Sequence, residues 1–139
     1  SSLTTITLGR SGIDADSLLI LGKMKNLDTV GLSRCEQIGS SEGIRALCAL
    51  KRIHYLELDG TRVGDEQAEL ISGMSKLDWL NLIGTRVSEK GLRALCRLQN
   101  LQHLKLDRRL ENTRAAKEFL QSHPHCKVEF RFLPPEVGL

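Results

Sequence analysis

The sequence predicts an α/β solenoid, with a parallel sheet along one side of a stack of repeated units and helices along the other. Three observations carry that reading. Six short segments share one hydrophobic spelling: Leu3-Thr-Thr-Ile-Thr-Leu8, Leu27-Asp-Thr-Val-Gly-Leu32, Ile53-His-Tyr-Leu-Glu-Leu58, Leu77-Asp-Trp-Leu-Asn-Leu82, Leu101-Gln-His-Leu-Lys-Leu106 and a degenerate Lys127-Val-Glu-Phe-Arg-Phe132. They begin at residues 3, 27, 53, 77, 101 and 127, so the steps are 24, 26, 24, 24 and 26 residues. Each unit also runs strand, turn and helix with no return strand before the next begins. A fixed period of this size marks units that bury their apolar faces only against their neighbours.

The elements follow in order. Strands are predicted near 4–8, 28–32, 54–58, 78–82, 102–106 and 128–132, because apolar and polar residues alternate there as on a sheet with one buried face. In the first unit, Asp14-Ala-Asp16-Ser17 looks like the opening of a calcium loop. Leu19 and Lys25 stand where Gly and Glu are required, so a helix N-terminus is the better reading. The second and fourth units share Gly43-Ile-Arg-Ala-Leu-Cys48 and Gly91-Leu-Arg-Ala-Leu-Cys96; the third and fourth share Gly60-Thr61-Arg62-Val63 and Gly84-Thr85-Arg86-Val87. Ser88 before the fourth helix is an N-cap signal, and Leu92, Leu95 and Leu98 recur on one helical face. After Asn112 a helix over Thr113–Ser122 leads through His123-Pro124-His125 into the last strand, and Pro134-Pro135 ends it. Phe130 and Phe132 replace leucines in that strand, as suits a closing edge, and all three Phe fall at core-like positions.

The spelling L-x-x-L-x-L at this period resembles the leucine-rich repeat family, over nearly the whole chain. The resemblance implies a curved horseshoe arc with the parallel sheet on its concave face and helices on its convex face. It also implies an Asn after each strand, whose side chain satisfies the turn. Here that position holds Ser11, Cys35, Thr61, Thr85 and Arg109. A hydroxyl makes one such bond, Cys a poor one and Arg none of the usual kind, so the fifth unit should leave the regular turn. The 24-residue Gly-Thr-x-Val units are similar to repeats of long bacterial and protist proteins. The second unit, with Arg34-Cys35 and Ile38, is similar to the cysteine-containing type of F-box proteins.

Composition narrows the classes. At 139 residues with 40% hydrophobic and 27% charged residues, the chain suits one domain over 1–139. A net charge of +3 is too mild to indicate nucleic acid by itself. Charged residues interrupt every apolar run, so no membrane span is expected. Ser1-Ser2-Leu3 opens neither a charged n-region nor an apolar h-region, so no signal peptide is expected. The chain starts directly on a repeat without a polar cap, which implies a fragment of a longer protein or an edge covered by something else. Of four cysteines, Cys48 and Cys96 lie two units apart. Stacking places them roughly 10 Å or more from each other, against the limit of about 7 Å for a disulfide. Reduced thiols in an intracellular, cytoplasmic or nuclear protein are the expectation.

Side chains alternate, so the residues flanking the buried leucines form ladders on the open sheet face. The first reads Thr5, Thr29, Tyr55, Trp79, His103, Glu129; the second Thr7, Gly31, Glu57, Asn81, Lys105, Arg131; the third Gly9, Ser33, Asp59, Ile83, Asp107. The single Trp and single Tyr are neighbours there, with Ile83 beside them. Tyr55, Trp79 and Ile83 are thus the expected apolar centre of a partner-binding surface. Glu57, Asp59 and Asn81 surround it, and His103, Lys105 and Arg131 orient a partner from one side. Such a face suits an apolar or cationic side chain. The competing reading is that the two rings only stack across strands and stabilise the sheet, by about 0.2–1 kcal/mol.

Catalytic and metal motifs fail one by one. His123-Pro-His125-Cys126 has ligand-type residues but no second pair, and reads as a polar loop. Neither a phosphate-binding glycine loop nor a G-x-S-x-G elbow occurs. Arg10, Arg34, Arg108, Arg109 and Arg131 gather toward the rims with acids between them, and no aromatics interleave, which disfavours nucleic acid. The sequence therefore predicts a non-enzymatic protein–protein interaction module without cofactor or metal. Its expected partner is a protein or peptide carrying a basic and apolar segment, and self-association through the uncapped first repeat is a further expectation. One alternative is the substrate-recognition or regulatory segment of a larger enzyme such as a ubiquitin ligase. The other is an RNA-binding surface, which a steep salt dependence would reveal.

Overall fold

A computed structural model describes residues 2–135; Ser1 and residues 136–139, the ends of the domain expected over 1–139, lie outside the described residues. The elements alternate as β1 (Thr5–Thr7), α1 (Ala15–Leu21), β2 (Thr29–Gly31), α2 (Ser41–Cys48), β3 (Tyr55–Glu57), α3 (Asp65–Ile71), β4 (Trp79–Asn81), α4 (Glu89–Leu95), β5 (His103–Asp107), a 3-10 turn (Arg108–Leu110), α5 (Arg114–Ser122) and β6 (Lys127–Arg131). Among the described residues the six strands form one sheet in chain order, and every adjacent pair is parallel. Consecutive helices pack on one another.

The core lies between these layers. Leu56, Leu58, Leu80, Leu82, Leu104 and Leu106 are each at most 1% exposed, and they share one cluster with helix residues such as Ile44, Ile71, Leu92 and Phe119. The turns after β2, β3 and β4 carry side-chain hydrogen bonds from Cys35, Thr61 and Thr85. Thr61 and Thr85 donate to the carbonyls of Leu58 and Leu82, at 2.6 and 2.8 Å. The buried Cys35 thiol reaches back to the Leu8 carbonyl of the preceding unit. The fifth unit does depart from the pattern. Its strand runs on to Asp107 and a 3-10 turn follows, while Arg109 donates to the Thr85 and Val87 carbonyls at 2.9 and 2.6 Å. Two positions at the strand ends hold arginine at positive φ, Arg10 (55°) and Arg34 (57°), where the third and fourth units have Gly60 (71°) and Gly84 (68°). A side chain there costs about 1 kcal/mol that glycine avoids.

Three expectations are corrected. Ser88 starts α4, but its own side chain does not cap the helix. Asp65, from the previous unit, accepts from the Ser88 amide (2.7 Å), the Gly91 amide (2.9 Å) and the Ser88 hydroxyl. A Cβ on Gly91 would come within 2.5 Å of that carboxylate, so glycine admits the cap. Glu89 in turn accepts from the Ala115 amide of α5 at 3.1 Å. The last strand pairs two residues out of the expected register: Leu104 meets Val128, Leu106 meets Phe130, and Asp107 meets Arg131. A slip of two leaves the buried face unchanged, so alternation could not detect it. One consequence is that Phe132 lies beyond the strand and is 70% exposed rather than in the core.

His123 also differs from a polar loop residue. It is buried, its ring stacks on Phe119 at 4.1 Å, and its Nε2 lies 3.1 Å from the Leu98 carbonyl. The first helix matches its expectation, with Asp14 as N-cap accepting from the Ser17 amide at 3.1 Å.

Two results should follow from this stacking. Burial works to raise the Asp65 carboxyl, but the Ser88 hydroxyl, the Ser88 and Gly91 amides and Lys90 outweigh it and hold the group below its ordinary value. Asp65→Ala should cost about 0.5–2 kcal/mol at neutral pH, as loss of a cap does. A depressed carboxylate contributes stability above its unfolded pKa of about 3.9 and loses it as pH falls through the lower folded value. In urea melts the gap between native and variant chains should therefore hold from pH 7 to near 4 and narrow below; a gap that widened in acid would contradict the cap.

The second concerns the first strand. β1 is the sheet's terminal strand, Ile6 and Leu8 are only half-buried, and Leu3 is 43% exposed, whereas Val30 and Leu32 in the next unit are fully covered. Hydrogen exchange should be fastest in β1 and slowest in β3 and β4. Equal protection of β1 and β4 would mean that the outer edge is covered in solution.

Candidate functional site

The face of the sheet turned away from the helices carries the expected site residues, and their register follows from pairing. Tyr55 lies opposite Trp79, and Trp79 opposite His103; Glu57 lies opposite Asn81, and Asn81 opposite Lys105. Because β6 is shifted, Lys127 completes the first ladder and Glu129 the second, while Arg131 moves to the third beside Asp107.

The aromatic pair is a stack. The Tyr55 and Trp79 rings lie 4.0 Å apart at 11°, and the His103 ring meets Trp79 edge-on at 5.7 Å. Lys105 Nζ lies 5.5 Å from the Trp79 ring centroid. A cation therefore already stands over this ring, and recognition of a second one falls to the acids rather than to the rings. Both aromatic residues remain half-buried, leaving ring edges and part of a flat apolar surface to solvent.

The acids beside the stack are held by few donors. Tyr55 donates to Glu57 at 3.1 Å, and burial first, then the Glu57 and Asp59 carboxylates, push its phenol up to about 12. Tyr55 thus stays a neutral donor throughout the physiological range. The Ser33 hydroxyl lies 3.2 Å from Glu57 and 2.7 Å from Asp59. A hydroxyl has one proton, so it serves one carboxylate at a time. Among the described residues, neither Glu57 nor Asp59 has an ion-pair partner. Two half-buried carboxylates therefore converge where one donor is shared, next to Gly31, which carries no side chain. Ser33 stands in the third ladder but was not read as a site residue; its place across from Asp59 was the available signal.

The other end of the face has the opposite sign. Glu129 contacts His103 Nε2 and pairs with Arg131 at 3.4 Å. The His103 hydrogen bond leads in holding the Glu129 carboxyl below its ordinary value; burial opposes it, and Arg131 and Lys127 reinforce it. With Lys105, Lys127 and Arg131 beside the two carboxylates Glu129 and Asp107, the β5–β6 end carries a net positive charge and the β3 end is acidic.

Two predicted site residues are not available to a partner. Asn81 is buried and its Oδ1 accepts from the Ile83 amide at 3.0 Å, so it fixes the strand end. Ile83 is 6% exposed although it lies outside the core cluster. The expected apolar patch of Tyr55, Trp79 and Ile83 thus reduces to the two rings.

Other chemistry is sparse. Burial pushes the Cys48 and Cys126 thiols up to about 11 and also raises Cys96, which keeps them protonated and weakly nucleophilic. All four cysteines are unpaired. Among the described residues no cluster of His, Cys, Asp and Glu is placed to hold a metal, and no helix is long and apolar enough to cross a membrane.

In comparison with known proteins, no family model and no curated protein matches the chain. Fold and surface nonetheless define its class: a repeated strand–helix α/β protein, solenoid-like, with a parallel sheet one face of which no described helix covers and which carries divided charge.

Proposed function

We propose that this chain is a non-enzymatic leucine-rich repeat module, a horseshoe arc that binds a protein or peptide on its concave sheet face. The family reading is supported by the L-x-x-L-x-L apolar residues of the second to fifth units, buried in one register, and by the side-chain-closed turns after β3 and β4. The partner reading rests on one observation above the rest: Glu57 and Asp59 share the single proton of Ser33, directly beside the Tyr55–Trp79 stack. A Lys or Arg side chain supplies the missing donors, and an apolar neighbour covers the ring edges. At the β5–β6 end Lys105, Lys127 and Arg131 favour an acidic group. The matching ligand is an extended segment with a basic–apolar pair at one end and an acid at the other. Unpaired, protonated thiols fit a reducing compartment, and we place the module inside the cell on that ground.

The test is an array of ten-residue peptides in which a basic–apolar pair and an acid are placed in both orders and compared with scrambled sequences. The chain should select the basic–apolar pair, and Trp79→Ala should lose the selected peptides. Arg93→Ala, on the helix side where Arg93 pairs with Glu89 and Glu118, should keep them. Loss with Arg93→Ala and retention with Trp79→Ala would move the site to the helices.

A further inference from the structure

Ile83 is buried outside the core cluster, and the segment after β6 packs against the residue next to it, Gly84. A Cβ placed on Gly84, the residue next to Ile83, would lie 3.0 Å from the Cβ and Cδ2 of Leu133 and 3.3 Å from its Cγ. Gly84 can receive Leu133 this closely because it has no side chain. One residue further on, the Pro134 carbonyl accepts a hydrogen bond from the Arg34 guanidinium, 100 positions earlier in the chain. Arg34 gets there by lying across Gly60, where a Cβ would sit 3.0 Å from its Cγ. Arg34, Gly60 and Gly84 occupy equivalent places in three consecutive units, so two bare turns and one arginine form a track along the strand ends. Leu133 is half-buried on this track, while Phe132, Pro134 and Pro135 remain exposed.

We propose that residues 132–135 are an intramolecular strap that covers the rim of the binding face at Ile83, and that a partner peptide must displace it. The proposal rests on the recognition reading above and adds its regulation. Among the described residues the strap has the chemistry of a displaceable competitor: the Leu133 side chain in a shallow seat, the Pro134 carbonyl on Arg34, and two prolines that pre-order an extended segment at little entropic cost. It offers no cation to Glu57 or Asp59 through its described residues, so a basic–apolar peptide has an advantage that the strap lacks. When the strap opens, Ile83 joins Tyr55 and Trp79, and the three-residue apolar patch of the sequence pattern is restored.

Arg34→Gly and Leu133→Ser in the full chain test this. Arg34→Gly removes the guanidinium while placing glycine at a positive φ, as in the third and fourth units, so its fold is expected to hold. Both variants should speed hydrogen exchange at Leu133 and Gly84. Both should also bind the array-selected peptide more tightly, by about tenfold if the open form is about a tenth of the native population. Faster exchange with unchanged or weaker peptide binding would show the tail to be only a structural cap and overturn the proposal. Unchanged exchange would show that Arg34 and Leu133 do not hold the tail, with the same consequence. If no array peptide binds native or variant chains, the recognition reading fails by itself. The cover over Ile83 is then decided by the dye ANS: binding to the variants but not the native chain supports it, and equal binding overturns it.

Discussion

Leu80→Ala should cost about 2–5 kcal/mol, the largest stability loss of any single substitution considered for this chain. Leu80 is fully buried at the middle of β4, with Leu56 and Leu104 as its direct cross-strand neighbours. Truncation removes the transfer energy of the lost carbons and leaves a cavity that a rigid sheet cannot close. Because each unit contacts only its neighbours, the damage lands on two interfaces at once and separates the first three units from the fifth. Against a total stability of about 5–15 kcal/mol for a domain of ordinary size, that loss is a large share. Urea unfolding should show a lower midpoint and a broadened or split transition. Ile20→Ala, at a side chain 65% exposed on α1, should stay within about 0.5 kcal/mol. Matching midpoints for the two variants would rule out the nearest-neighbour core described here.

Trp79→Ala should weaken binding of the selected peptide by about 2 kcal/mol or more, close to thirtyfold, while the fold survives. The ring sits at the centre of the face, between Tyr55, His103 and Lys105. Its loss removes the apolar platform and frees Tyr55, which then no longer holds Glu57 in a set position. The cross-strand stack itself is worth about 0.5–1.5 kcal/mol, so some stability goes with it. Calorimetry against the peptide, with melting of both chains under the same conditions, separates the two effects. A binding loss equal to the stability loss and no greater would support the view that the rings merely stiffen the sheet.

Much of this molecule was legible in its residues. Period, strand positions, the parallel order and the six central leucines all follow from a spelling repeated every 24 to 26 residues, since a unit with one apolar face has only its neighbours to bury it against. The irregular fifth turn was legible too, because the long Arg109 side chain cannot close its own turn as the short hydroxyl donors Thr61 and Thr85 do. Tyr55, Trp79, Glu57, Asp59, His103 and Lys105 were placed on the open face by alternation alone, and pairing brings them together there.

What alternation could not reach were choices among arrangements that share a face. The two-residue shift of β6 moved Glu129 and Arg131 each to the next ladder without turning either residue over, and the packing of Val128 and Phe130 against the end of the core selects between the registers. Helix capping likewise passed from Ser88 to Asp65, because a stack puts the side chain of one unit beside the open amides of the next. Asn81 and Ile83 have the positions of surface residues and the burial of interior ones. The sequence by itself determined the repeat and the face on which each side chain stands, since both depend on local periodicity. Tertiary structure decided which of those side chains meet solvent, because a tail 100 positions from Arg34 along the chain returns to the rim only once the stack exists.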